Sequence, residues 1–409
     1  MRQLPGIELP HGRAGTGRAL IDRRRSRSVD MTETASTGFE PRVGRSVSLD
    51  HAAQLLGVSR RTIYNRIRDL VVKRRMKSGA VLHVNAGQLD ALQRDSDVDH
   101  LSGERRLWPT MAITNVAIGA DQTWAGGNGV PRLSGAGVAV AVIDSGIDPK
   151  HNALKNRVLA TVDFTGGDGG DRYGHGTHVA GIIAGQAGRT ADTRNFQGVA
   201  GGAYLVNLRV LGDDGGGVSS SVVEAIDWAI EHRRQYRIGV INLSLGGPVL
   251  QSYHDDPMCE AVERAVRAGI VVVAAAGNFG TLDGKTVLAS ITAPGNDPYA
   301  ITVGVIDTHG TPQRSDDTVA SYSSHGPTAY DFVIKPDLVA PGSHITSAEA
   351  AGSYFSTTHP ERHVTGNGPN AYIQLSSTSM AAGVVSGTVA LLLQENGRLA
   401  PADVRRSCS

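Results

Sequence analysis

From about residue 109 onward, short apolar runs rich in β-branched residues alternate with longer stretches whose apolar positions recur at helical spacing. The runs at 138–143, 205–210, 239–243, 270–275 and 300–305 read as strands. In them apolar residues dominate consecutive positions instead of every second one, the mark of strands covered on both faces. The segments 175–187, 220–234 and 257–268 read as the intervening helices. Strand–helix alternation sustained to the end of the chain predicts an α/β fold, a parallel doubly wound sheet with helices on both faces. Functional groups in such sheets lie beyond the carboxyl ends of strands.

The front of the chain has a different rhythm. Ser48 caps an expected helix whose Leu49, Ala52, Ala53 and Leu56 share one face. Gly57-Val58-Ser59 breaks it, and a second helix carries Ile63 and Ile67 inward. Two short runs, 71–76 and 80–84, flank Lys77-Ser78-Gly79 and read as a hairpin-like wing, and 88–93 as a closing helix. The string AAQLLGVSRRTIYNRIRD resembles the helix-turn-helix of excisionase-type regulators. The resemblance implies a small N-terminal winged helix-turn-helix domain whose second helix enters the major groove of double-stranded DNA. It makes Arg60, Arg61, Tyr64, Asn65 and Arg66 the DNA-facing residues. A small helical module used only for protein contacts is the other reading of the same pattern. The expected organisation is a disordered basic leader at 1–45, this module at 46–95, a polar linker at 96–108, and the large domain at 109–409.

Charge sharpens that division. The net charge of +1 hides a basic front: residues 1–107 hold 20 Lys and Arg against 12 Asp and Glu, and the remainder 20 against 27. Residues 46–85 alone hold eight basic and two acidic residues, a balance suited to phosphate contact. The two cysteines, Cys259 and Cys408, exclude a disulfide scaffold. No apolar run reaches the roughly 18 residues of a membrane helix. No apolar core of a secretory signal follows the early arginines, so the cytoplasm is the expected compartment and a membrane is not an expected partner. Met31 is a second candidate start.

Three segments in the large domain carry polar residues at element ends. Asp144 follows the apolar run in VAVAVIDSGID; His175 and His178 open a helix in YGHGTHVAGIIAG; Ser379 opens another in LSSTSMAAGVVSGTVALLL. Singly, each reads as a turn, cap or core residue. In this chain order they resemble the subtilisin-like serine peptidases over roughly 109–396. Asp144-Ser145-Gly146, His175-Gly176-Thr177-His178 and Ser379-Met380-Ala381 match the family's three catalytic motifs, and Ala275-Ala276-Gly277-Asn278 its oxyanion segment. The segments 323–327 and 334–342 match its framework turns.

The resemblance implies an endopeptidase acting on protein or peptide substrates through an acyl-enzyme. Ser379 is then the nucleophile, His175 the base, Asp144 the group that fixes its tautomer, and Asn278 an oxyanion donor. Ser244, Leu245, Gly246 and Gly247 are the strand edge along which an extended substrate pairs. His178 is expected to be structural, and Cys259 a small buried residue. No cofactor is expected. Asp168 and Asp171 suggest calcium only weakly, being two carboxylates without a full oxygen shell, and read first as solvated loop acids.

The chain departs from the family pattern in three places. Ser377 stands where a glycine precedes Thr-Ser, and a Cβ there is expected to cost on the order of 1–2 kcal/mol if the backbone needs positive φ. Gly383 replaces a proline on the serine helix and loosens it by about 1 kcal/mol relative to alanine. The chain stops about thirty residues past Ser379, which reads as a truncated domain with Leu391, Leu392 and Leu393 exposed. These departures define a second reading: a DNA-binding regulator whose subtilisin-like domain, catalytically impaired, serves as sensor or scaffold.

Overall fold

A computed structural model describes residues 110–127, 131–188 and 193–408, and in the front part the short strands Arg75–Met76 and Gly79–Ala80. The chain divides into two units, Met1–Arg105 and Arg106–Ser409. In the first, the two short strands pair antiparallel, Arg75 opposite Ala80 and Met76 opposite Gly79. They fall where the sequence predicts a wing, with Gly79 inside the second strand. The expected helices, the leader, the linker, and Arg60, Arg61, Tyr64, Asn65 and Arg66 lie outside the described residues.

The second unit is built on an eight-stranded sheet. Its strands are β1 (Ala139–Asp144), β2 (Val158–Asp163), β3 (Tyr204–Arg209), β4 (Ile238–Leu243), β5 (Val271–Ala275), β6 (Ile301–Asp307), β7 (Thr318–Val319) and β8 (Leu338–Pro341). They lie in the order β7-β6-β5-β4-β1-β3-β2, with β8 also paired to β6. Every pairing is parallel except that of β7 with β6. From central β1 the chain fills one side with β2 and β3, then crosses to β4 and continues outward. The order therefore reverses between β1 and β4, and the crevice at that reversal is where such sheets bind ligands.

Strand β1 shows why the sheet is covered twice. All six of its residues are buried. Val140 and Val142 join one apolar cluster, while Ala139, Ala141 and Ile143 join another. Helices α1 (His175–Ala184) and α4 (Thr378–Glu395) contribute to the first cluster; α2 (Ser219–Glu231) and α3 (Pro257–Arg267) contribute to the second. Burying one such valine or isoleucine stabilises the fold by roughly 1.5–3 kcal/mol, which explains the consecutive apolar runs.

Two features depart from the sequence reading. A small antiparallel sheet, Ile345–Ala348 with Tyr372–Leu375 and His363–Thr365, leads into the serine helix. Its strands are too short to carry a periodic signal. The expected exposed surface on α4 is also absent among the described residues: Leu391 is buried, and Leu392 and Leu393 pack at the edge of the core. The helix Pro401–Cys408 follows, with Val404 fully buried and Arg405 paired to Asp337 and the Pro298 carbonyl. No described helix is long and apolar enough to cross a membrane.

Candidate active site

Three adjacent strands, β5, β4 and β1, end on one rim of the sheet, and their last residues or first turns carry Asn278, Ser244 and Asp144. Two helix starts meet them there. A cavity of about 800 Å3 takes in His175, Ser244, Leu245, Gly246, Gly247, Asn278 and Ser379, so the predicted site residues of the large domain converge on one place. Asp144 lies fully buried behind it.

Asp144 grips His175. Its Oδ1 and Oδ2 lie 2.8 and 3.0 Å from His175 Nδ1. The backbone N–H of Ser145 also donates to Oδ1, at 2.7 Å. A carboxylate on Nδ1 fixes the proton there and leaves Nε2 as the basic nitrogen. Burial opposes the imidazolium of His175, but the charge and hydrogen bond of Asp144 outweigh it, and the pKa rises above the ordinary 6.5. Contact between the helix start and the strand end depends on Gly176, because a Cβ there would collide with the Gly146 carbonyl.

Asp171 holds this helix start from the other side. It accepts from Ser145 Oγ at 2.9 Å, from the Gly174 N–H at 2.6 Å and from the Thr177 N–H at 2.8 Å. Ser145 Oγ in turn accepts from the Gly176 N–H at 3.0 Å. Asp171 is therefore no solvated loop acid: it is 8% exposed, and burial raises its pKa despite these donors. Asp168 is exposed and pairs with Arg172 at 2.9 Å. Among the described residues, no three His, Cys, Asp or Glu side chains gather as a metal cluster. His178 is fully buried, its Nε2 lying 3.1 and 3.2 Å from the Ile345 and Ile373 carbonyls of the small sheet. Burial, then the charge of His175, pushes its pKa down to about 3, which suits a neutral structural group. Cys259 is buried, and burial raises its thiol pKa.

Ser379 sits in the first turn of α4, and its Oγ donates to the Ser244 carbonyl at 3.1 Å. A buried chain ties this turn to β4: Ser386 donates to Asn242, Asn242 to Ser244 Oγ, and Ser244 Oγ to the Ser379 carbonyl. Nothing in the sequence pattern singles out Asn242 or Ser386, since both read as stray polar residues in apolar elements.

Asn278 is oriented by Thr378. The Thr378 N–H and Oγ1 both donate to Asn278 Oδ1, at 3.0 and 3.1 Å, so the amide nitrogen must face the other way. Gly277, at φ 105°, makes the turn that brings Asn278 there. Ser377 caps α4, and its φ of −176° and ψ of 162° are plain extended backbone. The strain expected of a side chain at this position is therefore not incurred. At Gly383, a Cβ would meet Ile182 Cγ2 at 3.2 Å, so the missing side chain lets α4 lie close against α1. Gly247 exchanges both backbone hydrogen bonds with Ala293, at 2.9 and 3.0 Å, and so is already paired within the chain. Tyr173, two residues before His175, also lines the cavity, as do Leu250 and Phe279, to which no motif assigns a role.

An aspartate-held histidine, a serine at a helix start and an amide facing that start are the groups that a site of the serine-protease type brings together. The comparisons agree with this class. The family model described as "Subtilase family" matches residues 135–408, and the chain belongs to that family. It is 38% identical over 280 residues to serine protease AprX of Bacillus subtilis (strain 168), covering 67% of this chain and 60% of that protein. It is 35% identical to the major intracellular serine protease of the same organism, covering 71% of this chain and 81% of that one. Among solved structures, the S41 psychrophilic protease aligns with a TM-score of 0.56 and 30% identity, covering 75% of this chain and 90% of that one. The chain thus spans less than two thirds of the length of the AprX relative.

Proposed function

We propose that the chain is a serine endopeptidase, with Asp144, His175 and Ser379 as its triad. The observation that carries this reading is the Asp144 carboxylate closed on His175 Nδ1 behind the cavity that His175, Ser379 and Asn278 line together. Ser379 Oγ bonds to the scissile carbonyl carbon while its proton passes to His175 Nε2. The carbonyl oxygen becomes an oxyanion held by the Ser379 N–H and the Asn278 amide. His175 then returns its proton to the leaving amine as the C–N bond breaks. Water, deprotonated by the same nitrogen, hydrolyses the acyl-enzyme. Ser244, Leu245 and Gly246 form the edge for an extended substrate, since Gly247 is already paired with Ala293. Each of these steps uses the chain's own side chains and backbone, with no cofactor. The cytoplasm is proposed as its compartment, a placement that the name of the intracellular relative supports.

A fluorophosphonate probe tests the reading. Labelling of the full chain that disappears in Ser379→Ala supports it; folded protein that stays unlabelled overturns it. The impaired-scaffold reading loses its main motive, because Ser377 carries no backbone strain.

For the front unit we propose double-stranded DNA as partner, with Arg60, Arg61, Tyr64, Asn65 and Arg66 facing the groove. The support is the charge balance of 46–85 and the motif resemblance. Affinity for random duplex should fall steeply as salt rises. An affinity indifferent to salt would remove the phosphate contacts from the proposal.

A further inference from the structure

The two donors assigned to the oxyanion already share an acceptor. Ser377 Oγ receives the Ser379 N–H at 3.0 Å and Asn278 Nδ2 at 3.1 Å. Two N–H groups converging on one oxygen at about 3 Å is the geometry that a tetrahedral oxyanion needs. The amide cannot turn away to relieve this, because Thr378 holds Oδ1 with two donors. Nor does the backbone force the hydroxyl into place, since extended φ and ψ accept glycine, alanine or serine alike. The glycine of the related motif has no side chain to put there.

We propose that the Ser377 hydroxyl is a built-in occupant of the oxyanion hole, engaging both donors in the free protein and giving them up to the substrate carbonyl. This rests on the reading of Ser379 as nucleophile and Asn278 as oxyanion donor. A neutral hydroxyl holds N–H donors less strongly than a charged oxygen. The developing oxyanion therefore displaces it, and rotation about the single χ1 of half-buried Ser377 vacates the position. Until then the hydroxyl keeps the helix start capped, and displacing it adds to the barrier for attack. The hydroxyl is thus a restraint on the reaction, acting through the donors it occupies.

The rate of fluorophosphonate labelling reads this directly, since the phosphonyl oxygen must enter the same hole. Ser377→Ala and Ser377→Gly are each expected to label about 5–10-fold faster than the wild-type chain, the gain from no longer displacing two hydrogen bonds of modest net worth. A merely structural cap predicts the opposite sign, because loosening the helix start slows labelling. The Asn278→Ala penalty should also be larger in the Ser377→Ala background, where the amide starts unoccupied. Ser379-dependent labelling of the wild type, with both folded variants no faster, overturns this inference alone. No Ser379-dependent labelling in any of the three chains overturns the catalytic reading and this inference with it.

Discussion

At the start of α1, a buried carboxylate takes up the free amides. Asp171 and the Ser145 hydroxyl it holds together satisfy the N–H groups of Gly174, Gly176 and Thr177. At the start of α4, a neutral hydroxyl does that work, and Ser377 shares itself between the Ser379 N–H and the Asn278 amide. Both ends satisfy donors that a helix leaves open. The first is walled in by buried groups and holds the turn that carries His175. The second borders the cavity and uses an acceptor that an anion outcompetes. The difference separates a helix start built to stay fixed from one whose donors are exchangeable.

The strongest challenge to this contrast is to disable the base without moving it. Asp144→Asn is expected to lower kcat/KM on peptide substrates by about 10⁴-fold, the scale known for losing the tautomer-fixing aspartate of a serine protease triad. A pH titration of the His175 ring by NMR should show its pKa falling in that variant, because the carboxylate that raises it is gone. In the wild-type chain, the raised pKa keeps the base protonated and idle to a higher pH than the ordinary 6.5. Activity should accordingly decline as pH falls through that raised value.

Asn278→Ala comes next. It removes one exchangeable donor and should cost about 100–1,000-fold in kcat, the range established for such a donor in a protease of this family. Steady-state kinetics with a matched Ser379→Ala control would check it, and a change confined to KM would mean that the amide only binds substrate.

Asp171→Ala strikes the fixed helix start. Leaving several buried donors without an acceptor should destabilise the fold by about 3 kcal/mol, read by urea denaturation. Ser377→Ala should cost only about 1 kcal/mol, the ordinary worth of a serine cap. If the two losses were equal, the distinction between a buried carboxylate and an exchangeable hydroxyl would collapse.

Much of the frame was legible from local pattern. Consecutive apolar runs place β1, β3, β4, β5 and β6 to within a residue or two, because strands covered on both faces are mostly apolar at successive positions. Strand β2 was missed: its residues are buried only in part, so its sequence lacks a continuous apolar run. Asp144, His175, Ser379 and Asn278 were legible because each sits in a short motif at an element end. Asp171 reads locally as a solvated acid, since nothing in the sequence tells a loop acid in water from one that three donors surround. Ser377 stands out in the sequence, but for a different property from the one that matters. The sequence raised backbone strain, whereas the structure has an unstrained backbone and an unexpected acceptor.

The order of the motifs and the rhythm of apolar runs were enough to establish by themselves a parallel α/β sheet and the residues at its rim. These are properties of neighbours along the chain, set by periodicity and by which side chains end each element. Which groups satisfy one another across that rim was decided only by tertiary packing. Ser377 and Asn278 are separated by 99 positions in sequence, and Asn278 by 100 from Thr378, the first residue of the serine helix it faces. Hydrogen bonding depends on distances of about 3 Å and on direction, and no local pattern encodes either until the sheet brings its strand ends together.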